Sequence, residues 1–402
     1  MLCQFSFSNF KSYREETTFD FQAAVLSEFR ETLIKTEKAS DILPVGVIYG
    51  PNGGGKTNLI AALGCVISMV TGPVFDLGKT HVRFIAQQKV FCAPFLLDKN
   101  SSNNPTKFQL FFRINDYEYR YEISVLRDEI IFETLYRKKL GAKKSAMLFE
   151  RYGRRVKLGT VLKAKSVNTE VNSKMPLLSF LAINYSLPVI NEVIAWFEKC
   201  VIRSYANPMA EHQILVAEDE VSKNIFITMM NDMGIDISGY RFSEADNQFM
   251  LQRTLHNSIF ELPFSSESEG TKKLFAALPV IILALKEGRL VIVDELDAKL
   301  HPKLLRYVIR LFTNPKINTK GAQLLFSSHD VSTMKNTVFR RDEIWFAALD
   351  EDHSSELYSL YELRKEDNER INNTAAYDKQ YLEGRYGADP YLNNMLKWET
   401  GL

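Results

Sequence analysis

A chain of 402 residues with 46% hydrophobic and 25% charged content is long enough for one large domain or two ordinary ones and has the composition of a globular protein with a sizeable core. Its formal net charge of +1 excludes a global electrostatic pull toward nucleic acid or membrane, so any such binding needs a local patch. The four cysteines, Cys3, Cys65, Cys92 and Cys200, form no C-x-x-C pair, which argues against a disulfide framework or zinc-ligand spacing and fits reduced thiols in a cytoplasm.

The N-terminal segment alternates Cys3, Phe5 and Phe7 with Gln4, Ser6 and Ser8, the pattern of a half-buried strand. Lys11, Arg14, Glu15 and Glu16 stand where a secretory leader would be apolar. With no unbroken apolar run of about 18 residues, a membrane span is not expected either. A second strand, Val45 to Tyr49, runs into a glycine-rich loop, and Asn58 to Met69 then reads as helix. From about residue 90 to 160 the pattern is that of a β meander. Phe108 to Ile114 and Tyr117 to Ile123 are joined by an Asn115-Asp116 turn, and a third strand is expected at Ile130 to Tyr136. Between about 176 and 235 the pattern turns helical, with Val189, Ile190, Val193, Ile194 and Phe197 on one face and Ile225, Phe226, Met229 and Met230 on another. Strand signals return near Phe249 to Leu251, and from Thr271 onward helix and strand alternate. The domain reading is a composite α/β unit of residues 1–170 and 240–402, with a helical insert at 171–239.

Gly50-Pro51-Asn52-Gly53-Gly54-Gly55-Lys56-Thr57 satisfies G-x-x-x-x-G-K-[ST] in full, between an apolar strand and a helix. Glycines allow backbone N–H groups to converge on phosphate, and the following helix turns its positive end to the same anion. Lys56 is the expected ligand of the β- and γ-phosphates of ATP, Thr57 of a magnesium ion, and Asn52, Gly53, Gly54 and Gly55 the cradle. Leu290-Val291-Ile292-Val293 is an apolar run suited to a strand buried on both faces, and it ends in Asp294 and Glu295. Asp294 fits a magnesium partner and Glu295 a general base that orients water.

Ser268-Glu269-Gly270-Thr271, followed by a helical Lys272 to Leu285, precedes that acidic strand and resembles the signature motif of ABC-type ATPases. The resemblance implies a P-loop NTPase fold of that type, a mixed sheet core with an antiparallel meander. It also implies that Ser268 and Gly270 contact the γ-phosphate held by a second subunit, hence a homodimer or higher homo-oligomer. Ser268 equally suits a plain helix N-cap. Glu269 and Thr271 depart from the transporter form and resemble the stand-alone bacterial ATPases of the AAA15 or RloA-like group, related to the OLD family and to RecF and Rad50. His329, after the apolar strand Gln323 to Ser328, resembles the switch histidine of these ATPases, and Leu296 to Pro302 occupies the place of the D-loop. Asn9-Phe10-Lys11-Ser12-Tyr13 is similar to the N-terminal segment of Rad50 and RecF, a resemblance that implies an approach of Lys11 and Ser12 to nucleotide, a surface loop being the plainer account. Gln87 and Gln88 are candidates for the Q-loop glutamine, and Tyr381 to Pro390 resembles the C-terminal segment of the AAA15 group.

The insert between Thr57 and Ser268 carries no sustained heptads, against a long coiled coil, and too little chain follows His329 for a Toprim nuclease domain. The function implied is an ATP-binding and ATP-hydrolysing switch in the cytoplasm that gates a separate effector protein, a nuclease among the candidates, in bacterial antiviral defence. The alternative is a RecF-like DNA-binding ATPase of repair. For the latter, the basic stretch from Arg137 to Lys157, opposed only by Glu150, is the candidate nucleic-acid surface, a solvated hairpin being the plainer account.

Overall fold

The computed structural model describes residues 1–76, 92–163, 167–204, 220–364 and 368–388. In chain order its elements are β1 (Leu2–Ser8), β2 (Thr17–Asp20), β3 (Val45–Tyr49), α1 (Lys56–Asp76), β4 (Thr106–Ile114), β5 (Tyr117–Leu126), β6 (Glu129–Lys139), β7 (Ala146–Tyr152), β8 (Arg155–Leu158), the single turn α2 (Thr160–Lys163), α3 (Leu177–Asn184), α4 (Pro188–Glu198) and β9 (Val201–Ser204). There follow α5 (Glu220–Asp232), β10 (Gly239–Ser243), β11 (Gln248–Leu255), β12 (Ser258–Pro263), α6 (Glu269–Glu287), β13 (Leu290–Asp294), α7 (Pro302–Thr313), β14 (Gln323–Ser327), β15 (Ile344–Leu349), β16 (Ser355–Ser359) and α8 (Tyr377–Leu382).

The meander is a seven-stranded antiparallel sheet in the order β2-β1-β4-β5-β6-β7-β8. Its period-2 patterning separates two faces. Phe5, Phe7, Leu110, Phe112, Tyr119 and Tyr121 are buried, while Glu118, Arg120 and Glu122 lie on the other side. The second sheet has the order β16-β15-β3-β14-β13-β9 and is parallel from β15 to β9. Its central strands are apolar on both faces because helices cover both. On one side α1, α3 and α4 fill the space between the two sheets, and Ile48, Ile292 and Leu325 point into that layer. On the other, Val47, Val293, Leu324 and Phe326 pack with α5, α6 and α7. The chain is thus an α/β P-loop architecture with an antiparallel meander.

Within 171–239, expected as a helical insert, the described elements feed this body directly. Leu177, Leu181, Ile190 and Val193 of α3 and α4 share the core of α1, and β9 pairs in parallel with β13. Helix α1 is by length and composition apolar enough to cross a membrane, although it contains no unbroken apolar run of about 18 residues. Its apolar residues Leu59, Leu63, Val66, Ile67 and Val70 are buried in the layer between the sheets, which accounts for its hydropathy. In the C-terminal turn the tyrosines carry the packing. Tyr381 stacks on Phe346 at 5.7 Å between ring centroids, and Tyr386 lies 5.3 Å from the same ring. Arg385 points away and pairs with Glu383. Asp389 and Pro390 lie outside the described residues.

Candidate functional site

The parallel pairing aligns the C-terminal ends of β3, β14 and β13, so three loops meet on one edge of the sheet. Such an edge is where α/β proteins gather ligand-binding groups. The glycine-rich loop leaves β3, His329 leaves β14, and Asp294 and Glu295 end β13.

The loop is shaped by contacts that no side chain would survive. Gly50 has φ +144°, and a Cβ there would come within 2.1 Å of the Ala347 carbonyl oxygen on β15. Gly55 has φ +112°, and its Cβ would meet Ser355 Oγ at 2.4 Å. Lys56, the first residue of α1, is only 6% exposed, and its ammonium donates to the carbonyls of Gly50 and Pro51 at 2.8 and 2.9 Å. Burial lowers its pKa, opposed first by the charge of Asp294 and then by Glu295 and Asp297. Asn52, Gly53 and Thr57 are exposed, and Gly54 is buried against the Ala347 carbonyl. The result is a buried cation beneath an open backbone cradle at the N-terminus of a 21-residue helix, a geometry suited to phosphate.

The acidic pair is held by a residue whose role the sequence does not announce. Ser327, fully buried at the end of β14, donates its hydroxyl to Asp294 Oδ1 at 2.5 Å and accepts the Glu295 amide at 2.8 Å. Glu295 has φ +52°, a left-handed conformation that costs a non-glycine residue energy and is found where surroundings enforce it. Its side chain is exposed while its backbone is pinned at both ends. The His329 amide donates to Asp297 Oδ2 at 3.0 Å, tying the switch loop to the loop after Glu295, and the His329 side chain is exposed.

Ser268 is the N-cap of α6 and accepts the Thr271 amide at 3.1 Å. The residue is exposed, so its cap role leaves it open to contact from outside. Gly270 packs against the loop after Glu295, since a Cβ would lie 3.0 Å from the Lys299 carbonyl. Glu269 pairs with Lys272 and Lys299, each at 3.1 Å. One turn further, Lys273 reaches under that loop and donates to the carbonyls of Glu295 at 2.7 Å and Ala298 at 2.9 Å. Burial pushes this ammonium down to about 8, against Asp297 and Glu295, which raise it. The signature segment and the acidic pair are therefore one mechanical unit. Sequence reasoning missed Lys273, Asp297 and Ser327 because each acts through a partner distant in the chain.

The N-terminal segment closes the other side. Ser12 accepts from Asn58 Nδ2 on α1 at 2.8 Å and from Ser355 Oγ at 2.7 Å, and Tyr13 donates its hydroxyl to the Gly55 carbonyl at 3.3 Å. Lys11, with φ +48°, sits on the adjoining turn with its ammonium 5.6 Å from the Phe10 ring centroid. Gln87 and Gln88 lie outside the described residues.

The basic stretch is not a single patch. Arg151 is fully buried and spends its guanidinium on the carbonyls of Gly153, Met175 and Asn172, beside Glu133. Arg137 lies over the Tyr117 ring, and Lys138 pairs with Glu118. The exposed remainder divides, because Lys139, Lys143 and Lys144 flank the β6–β7 turn while Arg154 and Arg155 flank the β7–β8 turn. These turns are at opposite ends of β7, about 20 Å apart at ~3.3 Å per residue. Adjacency in sequence does not make a surface when antiparallel strands carry the charges to opposite ends.

The profile of one protein family, described as "AAA domain, putative AbiEii toxin, Type IV TA system", matches residues 46–158 and 212–335. No curated protein sequence matches the chain. Solved structures similar to it include an SMC head domain from Thermotoga maritima, with 15% identity over 89% of this chain and 98% of that one at a TM-score of 0.44. An SMC head bound to the C-terminal winged-helix domain of ScpA shares 14% identity over 92% and 99%, at 0.42. An SMC head with coiled coil and joint from Pyrococcus yayanosii shares 10% over 96% and 99%, at 0.43.

Proposed function

We propose, starting from the fact that this chain belongs to the AAA-domain family just described, that it is an ATP-hydrolysing switch whose two nucleotide sites are completed across a homodimer. The observation that carries this reading is the meeting of Lys56, Asp294, Glu295 and His329 at the ends of three adjacent parallel strands. The glycine cradle binds the phosphates of ATP, and Lys56 exchanges its bonds to Gly50 and Pro51 for phosphate oxygens. Thr57, next to Lys56 in the cradle, and Asp294, whose charge reaches Lys56, are hard oxygen donors that would hold a magnesium ion, which would supply positive charge to polarise the phosphates. Glu295, fixed in its backbone and exposed in its side chain, orients the attacking water, and His329 reaches the terminal phosphate. Ser12, bonded to Asn58 of α1, and its neighbour Lys11 are the proposed nucleotide contacts of the N-terminal segment.

The exposed Ser268 cap supports contact with ATP held by a partner subunit, with Gly270 giving the backbone close approach. Because Lys273 ties α6 to Glu295, γ-phosphate contacts made in trans bias the acidic loop of the same subunit, the logic of a nucleotide switch. The reading extends to gating of a separate effector, a nuclease for example, in bacterial antiviral defence. The family's description as part of a toxin–antitoxin system supports action with a second protein. A cytoplasmic location fits this role. A RecF-like DNA-binding ATPase, suggested by the Asn9-Phe10-Lys11-Ser12 segment, is the competing reading, and DNA-stimulated, salt-sensitive turnover would decide for it.

The test is the solution mass of Glu295→Gln with and without Mg²⁺-ATP. Nucleotide-dependent dimerisation that Ser268→Arg abolishes is the expected result. Bound ATP with no change in mass or shape in either variant overturns the trans arrangement.

A further inference from the structure

The outer face of the seven-stranded sheet carries a groove of about 500 Å³ lined by Ser6, Ser8, Lys107, Gln109, Phe132 and Tyr152 among others. The volume is that of a small-ligand site. Strand register explains its composition. Ser8 pairs with Lys107, Lys107 with Ser124, Ser124 with Phe132, Phe132 with Tyr152, and Tyr152 with Arg155. One row of outward positions therefore crosses six strands, and at ~4.8 Å per strand it spans about 24 Å.

Two features of this row call for a ligand. Phe132 and Tyr152 form a tilted pair with centroids 4.9 Å apart and ring planes at 50°, and Tyr152 is 57% exposed on a sheet whose other aromatic residues are mostly turned inward. The cations Lys107, Arg154, Arg155 and Lys157 are all exposed and make no ion pair among the described residues. Of the nearby acids, Glu122 is engaged by Arg120 at 3.2 Å and Gln109 at 2.6 Å, and Glu150 accepts from Tyr136. Glu16 is the other acid in the lining of the groove. Aromatic rings on an open sheet, interleaved with cations at both ends of one row, suit a flexible polyanion that has flat faces of its own.

We infer that this row binds single-stranded nucleic acid, with a base stacked on Tyr152 and Phe132 and the backbone phosphates on Lys107, Arg155 and Arg154. A duplex keeps its base faces stacked and cannot offer them to these rings, whereas a single strand can. The span suits about four nucleotides. The surface differs from the basic stretch read in the sequence, since Lys107 comes from β4, and Lys139, Lys143 and Lys144 lie at the far end of the sheet. It does not rest on the ATPase reading, and nucleotide is left out of its test.

Fluorescein-labelled oligothymidylate and oligouridylate titrated with the full chain, read by anisotropy between about 50 and 200 mM salt, provide the test. Tyr152→Ala should weaken binding about tenfold or more, the effect of losing one stacked base. Lys107→Glu or Arg155→Glu should weaken it and flatten its salt dependence. The paired change Lys143→Glu with Lys144→Glu should leave it unchanged. A preference between the two oligomers assigns DNA or RNA as the strand bound. Absence of binding at the lower salt, equal loss in the Lys143/Lys144 pair, or polyglutamate competition that Tyr152→Ala does not affect would each overturn the inference. Unchanged thermal midpoints in the variants guard against loss through misfolding.

Discussion

Ser327 Oγ lies 2.5 Å from Asp294 Oδ1, a hydroxyl of one buried strand end fixing the carboxylate of its neighbour while its oxygen receives the Glu295 amide. That single side chain sets both the rotamer of the magnesium candidate and the strained backbone of the candidate base. Ser327→Ala removes the acceptor of a part-buried N–H and is expected to cost about 1–3 kcal/mol. It should also lower ATP turnover by roughly an order of magnitude or more, as misorientation of a positioned base does. Denaturant unfolding and steady-state hydrolysis measure the two effects. Wild-type turnover in a stably folded Ser327→Ala would show that Asp294 and Glu295 need no such support.

Binding and chemistry should separate by residue. Lys56→Ala is expected to abolish the rise in thermal midpoint that Mg²⁺-ATP produces, since a ligand stabilises only the state that binds it. Glu295→Gln should retain that rise while turnover falls by about 10²–10⁴-fold. If both variants lose ATP-induced stabilisation alike, Glu295 belongs to binding rather than to the chemical step.

The Lys273 ammonium, held near 8 by burial, should give the hydrolysis rate a pH dependence. As pH rises through about 8, the charge-assisted bonds to the Glu295 and Ala298 carbonyls weaken and turnover should fall. Lys273→Arg keeps its charge throughout and should carry turnover to higher pH. The stability effect has the opposite sign. Between about pH 8 and the ordinary lysine range the unfolded chain binds the proton that the folded chain has released, so this group's contribution to stability rises with pH. Identical rate profiles for wild type and Lys273→Arg would remove Lys273 from the mechanism.

Glu343 offers a stability test away from the site. It is buried beside Asp342, and desolvation raises its carboxyl to about 8, above its ordinary 4.5. The folded chain therefore holds a proton that the unfolded chain has lost. The stability this contributes is fully present below about pH 4.5 and is gone once pH has passed about 8. Glu343→Gln keeps an acceptor for the Arg340 amide and cannot titrate. The fall in thermal midpoint between pH 5 and 8 should be shallower in Glu343→Gln than in wild type, and parallel curves would refute the assignment.

What the sequence by itself determined was local. The glycine-rich loop, the apolar run ending in Asp294 and Glu295, the alternation of Tyr117, Tyr119 and Tyr121 with charged residues, and the Ser268 cap each follow from spacing within one element, where period and φ requirements are written in consecutive residues. Strand order, and everything dependent on it, only the tertiary structure decided. The chain alone cannot say that β14 inserts between β3 and β13, which is what places Ser327 beside Asp294 and the His329 amide on Asp297. Nor can it say that Lys273 reaches beneath the loop of Glu295 rather than into solvent, or that a run of basic residues divides between two ends of a sheet while Lys107 joins Arg155 in one row. Contacts between residues far apart in the chain depend on which hydrophobic faces pack together, and that is a property of the whole core rather than of any one segment.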